Sequence, residues 1–298
     1  MKRVIYSAAL ALLLAGCFRQ SAPSFDKTRY ESRDFTAQNL FSKNIEGPSF
    51  DKNGQLYVVN FKEDGTIGRI SADGQGEVFL TLPGKSIANA IQFNSKGEML
   101  LADFIGHNVL KVNMDTREVG VLAHDDRFNQ PNDICITKKD VVYASDPNWK
   151  NQTGQLWRID PDGKANLLLT DLGTTNGIEL SPDEKTLYVN ESVQRKIWAY
   201  DIDKRGDLKN KRLFTEFPDF GMDGMKCDKK GNLYCARYGK GTVAVLSPKG
   251  ELLREVMLKG KDVSNLVFGG KDGKTVFVTL QDRKGMEHFR VETAGRKW

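Results

Sequence analysis

From residue 34 onward, apolar and polar side chains alternate over short runs, and clusters of Gly, Asp, Asn and Lys separate one run from the next. LYVVN at 56–60, MLLAD at 99–103 and TLYVN at 186–190 are examples rich in β-branched and aromatic residues. A period of two with turn residues at both ends predicts strands. No stretch in this part of the chain sustains the 3.6-residue spacing of an amphipathic helix. The pattern predicts an all-β protein.

The runs repeat. Six segments share one plan, a polar residue, a short strand, an Asp/Asn/Lys/Gly turn and a second alternating strand, beginning at Glu46, Asn89, Asn132, Asn176, Asp223 and Asn265. Their spacing of 42 to 47 residues, with room for about four strands each, predicts a six-bladed β-propeller of four-stranded blades. The last segment is followed by one strand-like run only, near residues 287–293. Residues 34–41 (DFTAQNLF) are expected to supply its missing outer strand and so close the ring, removing two exposed sheet edges.

Ahead of the repeats, Lys2 and Arg3 precede an apolar run from Val4 to Leu14 and then Leu-Ala-Gly-Cys. That order predicts a lipoprotein signal over 1–16, a lipid on Cys17 and a polar tether over 17–33, with the propeller over 34–298. Phe18 in place of Asp after the cysteine points to the periplasmic face of the outer membrane, so the expected setting is the bacterial cell envelope, with the lipid as the sole membrane contact. The formal charge of +5 is small and evenly spread, which argues against nucleic acid as a partner. The reading is of a monomer. Cys135, Cys227 and Cys235 are expected to be buried thiols, because an odd count does not make a full disulfide framework.

In a propeller the innermost strands start together at one mouth of the central channel. Glu46, Asn89, Asn132, Asn176, Asp223 and Asn265 should therefore form a ring of oxygen donors, suited to a hard cation such as Ca²⁺ or another divalent ion. Each second strand returns to the same face and ends on Asn60, Asp103, Asp146, Asn190, Arg237 or Gln281, a second polar layer that could orient ligands or contact substrate. Arg127 and Arg237 could hold a polar substrate. His107, His124 and His288 fall outside the ring, so a Ser-His-Asp triad has little support. Trp149 and Trp157 are read as packing aromatics.

At EGPSFD (46–51), RFNQPND (127–133), SDP (145–147), TNGIELSPDEKTLYVNES (175–192), DGMKCDKKGNLYCAR (223–237) and FGGKDGKTVFVT (268–279) the sequence resembles the senescence-marker-protein and gluconolactonase family of Ca²⁺-dependent propeller hydrolases, which includes luciferin-regenerating enzymes. The resemblance spans roughly residues 36–298. It implies metal ligands on the first, third, fourth and fifth blades, here Glu46, Asn132, Asn176 and Asp223, and gives Asp223 the part of general base or nucleophile; Asp146, expected close to the pocket from its place at a second-strand end, is the reserve candidate. Thr175 and Met222 stand where members often have Pro. Asn89, Asp103, Asn190, Arg237, Asn265 and Arg127 remain as substrate contacts. The implied activity is opening of a sugar lactone or similar cyclic ester. A phosphotriesterase of the diisopropylfluorophosphatase type and a tethered, non-catalytic binding propeller are the alternatives.

Overall fold

The computed structural model describes Met1 and residues 29–298; Cys17 and most of the expected signal and tether lie outside the described residues. Residues 29–298 form six antiparallel four-stranded sheets arranged as the blades of a propeller, with no helix among them. The innermost strands are Phe41–Phe50, Ala88–Phe93, Ile134–Ile136, Thr175–Leu180, Met225–Cys227 and Val263–Gly269, which head blades 1 to 6 in chain order.

The core lies between the blades. Each of six apolar clusters straddles one pair of neighbours: Tyr57, Val59 and Ile67 of blade 1 meet Ile91, Met99 and Leu101 of blade 2, and Val267 and Phe277 of blade 6 meet Ile45, Val58 and Phe61 of blade 1. A blade therefore buries both faces of its inner strands, which is why LYVVNF at 56–61 and MLLAD at 99–103 are buried throughout. Because each cluster is shared by two blades, no blade has an independent core, and the ring is stabilised as a whole.

Closure is by the N-terminal segment, as expected, but with a shorter strand than 34–41. Arg33–Asp34 pairs antiparallel with Gly285–Arg290, and further backbone contacts with blade 6 run from Tyr30 N to Arg290 O (3.0 Å), through Phe35 N to Met286 O (2.9 Å), to Phe41 N to Lys284 O (3.2 Å). Phe41 already belongs to blade 1. The run DFTAQNLF thus joins two elements: Phe35 packs on Phe277 (ring centroids 4.7 Å apart), residues 37–39 cross over exposed, and Phe41 starts the next strand.

Cys135, Cys227 and Cys235 are buried free thiols; Met225 opposes Cys235 and Leu233 opposes Cys227, so the last two do not face each other. The C-terminal residues cross the end of the channel opposite the ring. Arg296 N donates to Cys227 O (2.9 Å), and its guanidinium makes a buried ion pair with Glu179 at 2.7 Å.

Candidate active site and metal centre

Glu46, Asn89, Asn132, Asn176 and Asp223 line one pocket of about 400 Å³ at the mouth of the channel. Local crowding brings them there. Gly47 follows Glu46 with a φ of +49°, and a Cβ on it would lie 2.6 Å from Asn89 O. Gly177 follows Asn176, and its Cβ would lie 2.2 Å from Asp223 O and 2.7 Å from Asn190 Nδ2. Only glycine lets adjacent inner strands approach so closely.

The ring residues hold one another. Asn265 Nδ2 donates to Glu46 Oε2 at 2.8 Å, and Gly47 N to the same oxygen at 2.6 Å. Asn89 Nδ2 donates to Asn132 Oδ1 at 3.1 Å, and Asn190 Nδ2 to Asp223 O at 2.6 Å. The Asn176 side chain hydrogen bonds to the Asp223 carboxylate. Burial, followed by the charge of Asp133, pushes Glu46 well above the usual carboxylate range. Burial, then Glu46 and Asp133, does the same to Asp223.

Those features fit a hard cation. Asn176 Oδ1 is buried without a hydrogen-bond partner, an arrangement that costs about 1–3 kcal/mol unless a ligand takes its lone pairs. Two carboxylates crowded in one channel repel, and a cation between them would offset that repulsion. Among the described residues no group of three or more His, Cys, Asp or Glu side chains is placed to hold a metal, so the donor set depends on the amide oxygens of Asn132 and Asn176.

Most of the second polar layer has other tasks. Both oxygens of Asp146 are taken, by Asn129 N (2.9 Å), Gln130 N (2.5 Å), Gln155 Nε2 (2.7 Å) and Trp157 Nε1 (2.9 Å), and Asp146 is not at the pocket wall. Its expected reserve part as a base gives way to that of a hub tying the loop before Asn132 to blade 3. Asp103 accepts from Ser86 Oγ (2.7 Å) and Gly106 N (2.8 Å), inside its own blade. Arg237 is fully buried over the Phe217 ring at 3.6 Å and holds Asp219 O (2.6 Å) and Oδ1 (2.8 Å), so it shapes the loop before Asp223 instead of meeting substrate. Arg127 is exposed and paired with Asp125 at 2.7 Å. Asn190 and Asn265 bond to Asp223 and Glu46; Asn89 lines the pocket, as do Asn60 and Gln281 of the second polar layer.

Beside Asn60 and Gln281, the walls come from residues the repeat did not single out: Ile87, Phe104, Ile105, Trp149, Ser192 and Tyr238. Several stand one or two positions beyond a second-strand end. Asp103 and Arg237 are buried in the blades, and Phe104 and Tyr238, the next residue in each case, line the pocket, a consequence of the two-residue period that could have located them; Ser192, two beyond Asn190, does not follow it. Trp157 packs in the core as expected, whereas Trp149 lines the pocket.

Residues 45–282 match the family model described as the SMP-30/Gluconolactonase/LRE-like region. A gluconolactonase of Zymomonas mobilis subsp. mobilis is 30% identical over 287 residues, covering 84% of this chain and 79% of that one. A diisopropyl-fluorophosphatase of Loligo vulgaris is 25% identical over 284 residues, covering 85% and 90%. Among solved structures, the calcium-binding protein regucalcin of Agrobacterium tumefaciens superposes with a TM-score of 0.77 at 22% identity, covering 88% of this chain and 95% of its own, which supports the fold. The chain belongs to the SMP-30/gluconolactonase/LRE-like family.

Proposed function

We propose that the chain is a divalent-metal-dependent lactone hydrolase whose ion, Ca²⁺ by the chemistry of its donors, is held by Glu46, Asn132, Asn176 and Asp223. The observation that carries this reading is the convergence of those four side chains on one pocket, with Asn176 Oδ1 buried and unpartnered. The similarity to a gluconolactonase over most of both chains supports the lactone as substrate.

A cation bound there would supply Lewis acidity toward the ester carbonyl. The chain's own residues supply the rest. Asp223 takes a proton from the water that attacks the carbonyl carbon; the ring C–O bond breaks, and the proton passes to the departing oxygen, giving the hydroxy acid. A nearby cation makes a carboxylate a weaker base. Burial and the Glu46 and Asp133 charges act in the opposite direction. Asn190 and Asn176 fix its backbone and carboxylate.

Initial rates on a lactone panel, after chelation and after addition of Ca²⁺, test this reading. Turnover that disappears on chelation and returns with Ca²⁺ is expected; no lactone opened under either condition would reject it. Phosphotriester hydrolysis is the second reading, favoured by the similarity to a diisopropyl-fluorophosphatase over 284 residues, and the same panel with a fluorophosphate added separates the two.

A further inference from the structure

The pocket above the ring has two unlike sides. Ile87, Phe104, Ile105 and Trp149 line it from the neighbouring blades 2 and 3. Phe104 and Ile105 form the turn after Met99–Asp103, and Trp149 follows Val142–Asn148, so the four residues make one apolar sector. Ile105 is 37% exposed, a large aliphatic side chain left open at the pocket.

The remaining wall is polar, and part of it is committed to bonds within the protein. Asn60 donates from Nδ2 to Asn44 O (2.7 Å) and accepts from Gly65 N (3.0 Å). Ser192 Oγ donates to Met222 O (2.5 Å), and Tyr238 OH to Gln281 Oε1 (3.2 Å). Asn89 Oδ1, Asn132 Nδ2 and Gln281 Nε2 remain for hydroxyls on that side, but the apolar sector offers a hydroxyl no side-chain partner, and a buried hydroxyl without one is costly. Among the described residues lining the pocket there is no Lys, Arg or His; the charged ones are the carboxylates Glu46 and Asp223. An anionic substituent would lose its hydration and meet no cationic side chain.

We propose that the site is selective for uncharged lactones bearing an alkyl or aryl substituent, which packs on Ile87, Phe104, Ile105 and Trp149 while the ester lies over the floor formed by Glu46 and Asp223. This rests on the lactone-hydrolase reading above and narrows its substrate class. Each methylene buried on the wall contributes about fourfold to binding.

The test uses the full chain loaded with Ca²⁺. kcat/KM is measured on δ-lactones whose alkyl substituent grows from methyl to pentyl, beside gluconolactone and its 6-phosphorylated form. Calorimetry in parallel gives Kd for the matching δ-lactams, which report binding without turnover. The expected result is a kcat/KM that rises about fourfold per methylene, with lactam Kd falling in step, the phosphorylated lactone the poorest substrate, and a slope flattened by Ile105→Asn or, independently, by Ile87→Thr. A flat series, or a preference for gluconolactone or its phosphorylated form, overturns the inference. Steep lactam binding without hydrolysis of any lactone overturns the hydrolase reading and leaves the apolar subsite standing; hydrolysis with a flat series does the reverse.

Discussion

At the scale of single residues, the site depends on what small side chains allow. Gly177 lets Asn190 reach Asp223 O, so Gly177→Ala must displace one or both: its Cβ would stand 2.2 Å from that carbonyl oxygen. Forced repacking of this kind costs about 1–3 kcal/mol. We expect Ca²⁺ affinity by calorimetry to fall at least tenfold and the melting temperature to drop by a few degrees; unchanged affinity would show that the Asn190 contact does not position Asp223. The ring was legible in the sequence because six polar residues recur in register at the head of six similar segments, and the pocket gathers five of them. The walls were not read, because Phe104, Ile105 and Tyr238 lie in turns where no repeat constrains the residue type. Polarity at a strand end did not mean exposure to the channel: Asp103 and Arg237 are fully buried and bonded within their blades.

At the scale of elements, the closing strand is short, and its hold comes as much from side chains as from the ladder. Thr36 Oγ1 accepts from Met286 N (2.9 Å), Asp34 pairs with Arg283 (2.9 Å) and Lys259 (2.6 Å), and Phe35 packs on Phe277 at 4.7 Å. Phe35→Ala removes a half-buried aromatic from the seam between blades 6 and 1, for about 2 kcal/mol. Thermal unfolding should show a drop of several degrees, against almost none for a substitution at exposed Gln38. Equal melting temperatures for the two variants would mean that Phe35 does not secure the closure. Short apolar runs rich in β-branched and aromatic residues marked the inner strands, since both faces of these are buried between neighbours. The junction at 34–41 misled because Phe35 and Phe41 look like one strand when each belongs to a different blade.

At the scale of the whole molecule, the described chain enters beside Arg290, whose strand partner Thr275 lies at the end of blade 6 away from Gln281 and the pocket. Cys17→Ser should leave an unprocessed or soluble protein, and membrane fractionation that finds the variant processed and bound like the parent would reject the anchor. The C-terminal tail, whose Arg296 pairs with Glu179 across the channel, carries no repeat signal and so was not foreseen. The central claim joins ring and chemistry, and it is tested most directly by following lactone hydrolysis and calorimetric Ca²⁺ occupancy in one titration of the parent, Glu46→Gln and Asp223→Asn. Both substitutions remove a ring charge and should weaken binding, but mass action at saturating Ca²⁺ refills a weakened site without restoring a missing base. The account predicts that the parent's rate tracks occupancy, that Glu46→Gln recovers most of its rate at saturation, and that Asp223→Asn stays at least a hundredfold slower with its site filled; equal recovery of the two variants, or a rate indifferent to occupancy, would contradict it.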